Sequence, residues 1–256
     1  MQPHERIAAS LRAAQQPALV AFLTAGYPTR SGFADALRAI SRAADAVEIG
    51  VPFSDPMADG VTIQRSSETA IRNGVTLAWI LEELARGKGS FEAPLLLMSY
   101  LNPLLAFGFE ALAERAVAAD VCGFMVPDLP YEECAPLRSA LGRHGIALVQ
   151  FVTPATPPQR MDLLCGESEG FVYAVTRTGI TGGQSSLPSD LAEYLGGVKA
   201  RSQLPVCAGF GVRTPEQVEL IGAHADGVIV GSALVEVLES GEDPGAFLES
   251  LRGPAQ

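Results

Sequence analysis

Eight short apolar runs, each long enough for one β-strand, recur along the chain, and amphipathic stretches of helix length separate them. The runs are ALVAFLT from residue 18, AVEIGV from 46, APLLLMSY from 93, CGFMVP from 122, GIALVQFV from 145, GFVYAVT from 170, LPVCAGF from 204 and ADGVIVGS from 225. Most are bounded by Gly, Pro or Asp, which are common where strands end. Eight strands that alternate with helices predict a (β/α)8 barrel, the TIM-barrel fold.

The length of 256 residues suits one such barrel, and no linker rich in Ser, Gly or Pro divides it. We therefore predict a single TIM-barrel domain over residues 1–256, with an extra N-terminal helix before the first strand. Between strands, TLAWILEELARG is typical of an amphipathic helix that Thr76 caps and Gly87 follows. A doubly wound open sheet is the competing architecture, but no G-x-G-x-x-G follows the first strand.

Charge and composition argue against several classes of function. The formal net charge of −11 is unsuited to a nucleic-acid surface, which needs a basic face. No apolar run is long enough to span a bilayer, and the N-terminal stretch has no apolar signal core, so we expect a cytoplasmic protein. The three histidines are scattered, and no metal site is expected. The cysteines have no C-x-x-C spacing and are expected in the core: Cys122, Cys134, Cys165 and Cys207.

The second apolar run carries an acid, within the stretch DAVEIGVPFSDPMADG at 45–60. Strand alternation places Glu48 on one face between the small residues Ala46 and Gly50, and the branched residues on the other face. The branched face suits packing against helices, so Glu48 is predicted to point into the barrel. Because burying an acid without a partner is costly, this arrangement indicates a site reserved for chemistry.

Two further acids follow on the loop that Pro52 and Pro56 stiffen. Asp59 stands just before the next helix, where it is either a functional carboxylate or a helix cap. For Asp55, a role in the turn is at least as plausible as one in chemistry. Two carboxylates in different surroundings can divide proton-transfer roles, and the desolvated one tends to hold its proton and act as an acid.

Glycine segments after the last two strands indicate an anion site. AGFGVRTPEQ and IVGSALV place Gly209, Gly211, Gly231 and Ser232 where backbone can approach an anion, with helix N-termini behind them. Barrels often hold a phosphate at this position. The longest segment without strand or helix signals, 176–190, follows the sixth strand and is expected to be a lid over the site, or else a plain surface loop.

Several of these motifs occur together in one known family. With FLTAGYP, VEIGVPFSDPMADG, FVYAVTRTGITGG and the pair AGFGV and GVIVGSALV in this order, the chain resembles the tryptophan synthase alpha family over essentially its whole length. The resemblance implies retro-aldol cleavage of indole-3-glycerol phosphate to indole and glyceraldehyde 3-phosphate. It also implies that this chain needs neither a metal nor an organic cofactor.

The resemblance assigns roles to individual residues. Glu48 would protonate indole C3, Asp59 would accept a hydrogen bond from the indole N–H, and Tyr173 would line the site close to Glu48. The implied contacts with the substrate and its phosphate are Phe22, Tyr100, Thr181, Gly182, Phe210, Gly211, Gly231 and Ser232.

A partner is implied as well. The family pairs with a beta subunit that holds pyridoxal phosphate, in an alpha2beta2 heterotetramer. The residues implied to face that partner are Pro52, Asp55, Asn102 and Pro103. The chain departs from the family at Val61, where a Pro is usual; Pro is well tolerated in the first turn of a helix.

Other functions compete with the lyase subunit. The chain could be a free-standing lyase that releases indole, with nearly the same residues. It could be a weakly active paralogue that only activates a beta subunit, although the presence of Glu48, Asp59 and Tyr173 argues against this. Another phosphate-handling barrel, such as an isomerase, is a further alternative. A Schiff-base aldolase is disfavoured, since Lys88 and Lys199 fall in helix or loop contexts.

Overall fold

The computed structural model describes residues 1–15, 17–176, 189–209 and 211–253. Eight parallel strands close into a barrel in chain order, so the predicted (β/α)8 fold is confirmed. The strands are β1 Ala18–Thr24, β2 Ala46–Gly50, β3 Leu95–Met98, β4 Val121–Met125, β5 Ala147–Val152, β6 Val172–Val175, β7 Val206–Gly209 and β8 Gly227–Val230. Each of the eight apolar runs contains one of them, except that β4 begins one residue before its run. That residues 1–256 form one domain stays a prediction.

Helices surround the barrel, and the extra N-terminal helix is present. Within the described ranges they are α1 Pro3–Ala13, α2 Phe33–Ala43, α3 Val61–Arg72, α4 Leu77–Arg86, α5 Leu101–Phe107, α6 Phe109–Ala118, α7 Ala135–Gly142, α8 Pro158–Glu167, α9 Ser189–Lys199, α10 Pro215–Gly222, α11 Ser232–Ser240 and α12 Pro244–Leu251. A short 3-10 turn, Tyr131–Glu133, precedes α7. At the start of α4 the hydroxyl of Thr76 accepts a hydrogen bond from the Trp79 N–H at 3.2 Å, as the cap prediction requires.

Strand alternation divides the core into two layers. Outward side chains such as Val47 and Ile49 of β2 join a cluster shared with the helices. Inward side chains such as Ala46 and Leu96 form a separate cluster inside the barrel. The predicted orientation of the second strand, with its branched face outward, is therefore confirmed.

Helix α1 closes the N-terminal end of the barrel. Ile7 and Leu11 belong to the interior cluster, and the Cδ1 atom of Ile7 would lie 3.1 Å from a Cβ placed on Gly123 of β4. Arg6 fixes the helix by two hydrogen bonds to Asp120, at 2.8 and 3.1 Å. With this end filled, ligands must enter from the C-terminal ends of the strands.

The remaining sequence expectations concern cysteines, metals and membranes. All four cysteines are buried free thiols, as predicted. Over the ranges that the structure covers, no three His, Cys, Asp or Glu side chains group in a way that could hold a metal ion. In the same ranges, no helix combines the length and apolar character needed to cross a membrane.

Candidate active site

Glu48 lies inside the barrel, as its position on β2 predicts. Its side chain is 0% exposed, and neither carboxyl oxygen has a hydrogen-bond partner among the residues that the structure describes. Burial raises the pKa of Glu48 to about 8, because the interior disfavours its charged form. Glu48 therefore holds a proton at neutral pH and is available as an acid.

A cavity of ≈ 650 Å³ opens above Glu48 at the C-terminal ends of the strands. Glu48, Asp59 and Tyr173 all line it, so the structure brings the three predicted catalytic residues together. Apolar side chains form most of the wall and give the cavity the character of a slot for a flat ring: Phe22, Ile63, Met98, Pro127, Phe151, Val175 and Ile229.

Asp59 ends the loop that connects β2 to α3. Burial raises the pKa of Asp59 to about 6, and a hydrogen bond with Tyr100 acts in the opposite direction. Gly60, and not Asp59, occupies the N-cap position of α3, so the alternative role of Asp59 as the helix cap is wrong. The carboxylate is thus free of a capping role and faces the cavity.

Tyr100 holds the loop that carries Asp59 by hydrogen bonds. Its hydroxyl accepts a hydrogen bond from the Ala58 N–H at 2.9 Å and shares another with the Asp59 carboxyl group. Its ring stacks on Phe53, with centroids 5.2 Å apart. Tyr100 is 4% exposed and is not among the cavity-lining residues. Tyr100 therefore supports the loop that carries Asp59. Strand and helix patterns in the sequence do not predict this role.

Tyr173 of β6 stands in the cavity wall near Glu48. Its ring packs against Phe151 at a centroid distance of 4.8 Å. A Cβ atom on Gly209 would lie 3.1 Å from the Tyr173 hydroxyl oxygen. Burial raises the pKa of Tyr173 well above its usual value, and the charge of Glu48 adds to the effect. Gly209, predicted to approach an anion, thus also leaves the space that the Tyr173 hydroxyl occupies.

A second glycine makes space for Phe22. A Cβ on Gly50 would meet the ring of Phe22 at 2.6 Å, which is closer than real contacts allow. Phe22 is paired with Glu48 in the β1–β2 register, so its ring lies over the end of the strand that carries the acid. The sequence signal for this contact is a Gly within a strand, which often marks close approach of another group.

The opposite side of the cavity suits an anion. Gly211, Gly231 and Ser232 line it. Helix α11 begins at Ser232 with no acidic residue in its first turn, and its N-cap residue, Gly231, has no side chain that could cap it. Its first N–H groups and the positive end of its dipole are available to an anion. Neither Lys nor Arg lines the described part of the cavity. Helix α10 differs, since Thr214 and Gln217 form its own capping box.

Three predicted contacts, Thr181, Gly182 and Phe210, lie outside the described residues, as do residues 177–188 of the lid expected over 176–190. Val61 is the first residue of α3, 78% exposed, and contributes to the cavity rim.

The residues implied to face a partner lie in the segments that follow β2 and β3. Asp55 and Asn102 are exposed, whereas Pro52 and Pro103 are half-buried. The stacking of Phe53 on Tyr100 brings their two segments together. Exposed apolar side chains occur in the same segments: Met57 is 81% and Leu105 is 53% exposed.

Comparison with known proteins shows which family this chain is similar to. Residues 8–251 match the family model described as tryptophan synthase alpha chain. The tryptophan synthase alpha chain of Desulfovibrio desulfuricans is 44% identical over 247 residues, covering 95% of this chain and 96% of that one. The alpha chain of Solidesulfovibrio magneticus is 42% identical over 242 residues, 94% of each chain.

Solved structures give the same result. Tryptophan synthase subunit alpha from Legionella pneumophila superposes with a TM-score of 0.87 at 32% identity, covering 98% of this chain and 97% of that one. A chain of Mycobacterium tuberculosis tryptophan synthase has a TM-score of 0.88 at 36% identity, with 98% and 96% covered.

Proposed function

The chain belongs to the tryptophan synthase alpha chain family, which serves tryptophan biosynthesis, and on this premise we propose that it cleaves indole-3-glycerol phosphate to indole and glyceraldehyde 3-phosphate. The observation that carries the proposal is Glu48, a buried carboxyl group at the base of an apolar cavity, with no hydrogen-bond partner in the described part of the chain. Indole is a poor leaving carbanion, so the reaction needs an acid that is still protonated near neutral pH. The pKa of about 8 supports Glu48 in that role.

Substrate placement follows from the two ends of the cavity. The indole ring lies among the apolar side chains, between Phe22 and Phe151. The phosphate lies at Gly211, Gly231 and Ser232, where the first N–H groups of α11 bind its oxygens. The bond to be cleaved then lies over Glu48.

The proton moves in a closed cycle. Glu48 donates its proton to indole C3, and the ring nitrogen becomes positively charged while its N–H donates a hydrogen bond to Asp59. The Glu48 carboxylate then takes the proton of the hydroxyl on the adjacent glycerol carbon. That carbon becomes the aldehyde, the C–C bond breaks, and its electrons restore the aromatic indole. Glu48 is protonated again at the end.

Indole release tests the function directly. We expect the purified chain to form indole from indole-3-glycerol phosphate in the presence of EDTA and without added cofactor. Loss of activity with EDTA and recovery with a divalent cation would contradict the metal-free mechanism. Adding a cognate beta subunit should raise the rate; a rate that does not change would favour the free-standing lyase, and no indole in either assay would favour the paralogue.

The dependence of kcat/KM on pH tests the two carboxyl groups. Asp59 must be ionised, and its pKa is raised to about 6, so activity should fall as the pH drops below about 6. Glu48 must be protonated, and its pKa is raised to about 8, so activity should fall above about pH 8. We expect a bell-shaped profile with these limbs. A flat profile from pH 5 to 9 would contradict both assignments.

Gly231→Val tests the phosphate side. A Cβ at Gly231 would lie 3.8 Å from the Cβ of Phe22, an ordinary contact, so the fold should tolerate the change while the larger side chain fills the space beside the α11 N-terminus. We expect the Kd for glyceraldehyde 3-phosphate to rise about tenfold or more, roughly the worth of one good interaction, and the Kd for indole to change much less. Equal losses for both ligands would count against this phosphate site. Calorimetry measures both constants.

A beta subunit is the proposed partner. Met57 and Leu105 are exposed apolar side chains in the same segments as the residues implied to face a partner, and they support docking of another protein there. In the proposed alpha2beta2 assembly, pyridoxal phosphate belongs to the beta subunit, and this chain contributes no cofactor of its own. The free thiols of the four cysteines support a reducing compartment, the cytoplasm.

A further inference from the structure

A polar network joins three segments that border the cavity. Glu236 of α11 accepts hydrogen bonds from Arg213 at 2.5 and 3.0 Å, one to each carboxyl oxygen. The Thr62 hydroxyl of α3 donates a third, at 3.2 Å, to Oε1 of the same carboxylate. We call Thr62, Arg213 and Glu236 the Glu236 network.

Each member of the Glu236 network is close in sequence to a group of the proposed site. Thr62 follows Asp59 by three residues, Arg213 follows Gly211 by two, and Glu236 lies one helical turn after Ser232. The network therefore ties the loop that carries the acid to both backbone segments of the anion site. The segments follow β2, β7 and β8; β7 and β8 pair with each other, but neither pairs with β2, so sheet pairing does not join the acid loop directly to the anion segments.

We propose that Glu236 is a positioning residue, which sets the distance between the Asp59 loop and the anion site by holding Thr62 and Arg213 together. For catalysis this inference rests on the proposed cleavage reaction, since it is the substrate that spans the two ends of the cavity. Glu236 touches neither end itself.

The chemistry of the network suits this role better than a role in stability. The side chains of Arg213 and Glu236 are 51% and 36% exposed, and ion pairs of such exposure contribute little to stability. Their geometry is nevertheless specific, because a planar guanidinium bonds both carboxylate oxygens in one orientation. The Arg213 hydrogen bond lowers the pKa of Glu236, so the carboxylate stays ionised at neutral pH.

The chain offers a matched control on the same two helices. Arg65 of α3 and Glu239 of α11 form an ion pair at 2.5 Å. This pair also bridges α3 and α11, and it contains the same kinds of groups, but it does not include the loop with Gly211. Glu239→Gln therefore removes an equal charge without releasing the anion segment.

Phosphate affinity distinguishes a positioning role of Glu236 from the effect of its negative charge alone. The probe is inorganic phosphate, with its Kd measured by calorimetry. Glu236→Gln removes a negative charge, which on electrostatic grounds alone would tighten phosphate binding. Loss of positioning should instead weaken it, on the order of fivefold, as couplings within one network do. Glu239→Gln should stay within about twofold of the parent. Tighter or unchanged binding by Glu236→Gln would overturn the proposal.

Kinetics then distinguish the two contacts of Glu236, one with Thr62 and one with Arg213. Thr62 also lines the cavity, and Thr62→Val keeps the shape of its side chain while it removes the link to the Asp59 loop. This variant should lower kcat more than it raises KM. Arg213→Lys keeps the charge but loses the two-pronged geometry, and it should raise KM more than it lowers kcat. If both variants change kcat and KM in the same proportion, the network acts only through general stability and the proposal fails.

The outcomes for the network and for the function remain distinct. A parent that binds phosphate but releases no indole refutes the proposed function, while the phosphate affinities of Glu236→Gln and Glu239→Gln still decide the positioning role. A parent that does not bind phosphate refutes the anion site, and the positioning role with it.

Discussion

Glu48→Gln is expected to abolish nearly all indole release while the fold and ligand binding survive. The amide has almost the same shape as the protonated acid, and Glu48 is fully buried and loses no hydrogen bond to any residue that the structure describes. It cannot donate a proton to indole C3. Loss of general acid catalysis typically costs about 10²–10⁴-fold in rate. The loss here should reach or exceed that range, because without the proton indole has no good way to leave.

The measurement compares kcat for cleavage with the binding of a non-cleavable indole-glycerol phosphate analogue and with activation of a cognate beta subunit. Only kcat should fall. Thr153→Val is a suitable control, since it removes a hydroxyl group from the lining of the same cavity and leaves the acid in place. If Glu48→Gln cleaves at the parental rate, Glu48 is not the acid. If the parent is inactive and yet activates its partner, the chain is a scaffold.

The same substitution should stabilise the protein, by an amount that increases with pH. In the folded parent the pKa of Glu48 is raised from 4.5 to about 8. Between these values the folded state holds a proton that the unfolded state has lost, so the parent loses about 1.4 kcal/mol of stability per pH unit. Gln does not titrate. The stability of Glu48→Gln relative to the parent should therefore rise between about pH 4.5 and 8, by about 3–5 kcal/mol in all, and then level off.

Denaturant unfolding at pH 5, 7 and 8.5 measures this difference. Glu132→Gln provides a control of opposite sign, because the hydrogen bond from Arg160 lowers the pKa of the exposed Glu132 to about 2. The difference in unfolding free energy between Glu132→Gln and the parent should not change above pH 5. A difference between Glu48→Gln and the parent that is the same at all three pH values would mean that Glu48 is not kept protonated by the fold.

The strands and the orientation of Glu48 were predictable because they depend on local patterns. A strand of a parallel barrel is buried on both faces, so it stands out as an apolar run, and alternation then decides which side chains point inward. Glu48 stands out because an acid interrupts such a run. The proposed roles of Asp59 and Tyr173 came from resemblance, since a loop acid and a strand tyrosine have many possible uses.

The contacts around these residues depend on segments that are distant in sequence. Tyr100 meets Ala58 across 42 residues, and Glu236 meets Thr62 across 174. Local patterns carry no information about such pairs, because barrel closure decides which loops become neighbours. The contacts of Gly50 and Gly209 also depend on distant segments, because the rings of Phe22 and Tyr173 that occupy the space beside them belong to other strands.

By itself, then, the sequence determined the order of strands and helices, the inward direction of Glu48 and the glycine-rich strand ends, all of which follow from periodicity over a few residues. Only the tertiary structure decided that Gly60 and not Asp59 is the N-cap of α3, that Tyr100 supports the loop carrying Asp59, and that Thr62, Arg213 and Glu236 meet. It also decided the pKa of Glu48. Desolvation is produced by the whole set of surrounding side chains, which come together only when the barrel closes.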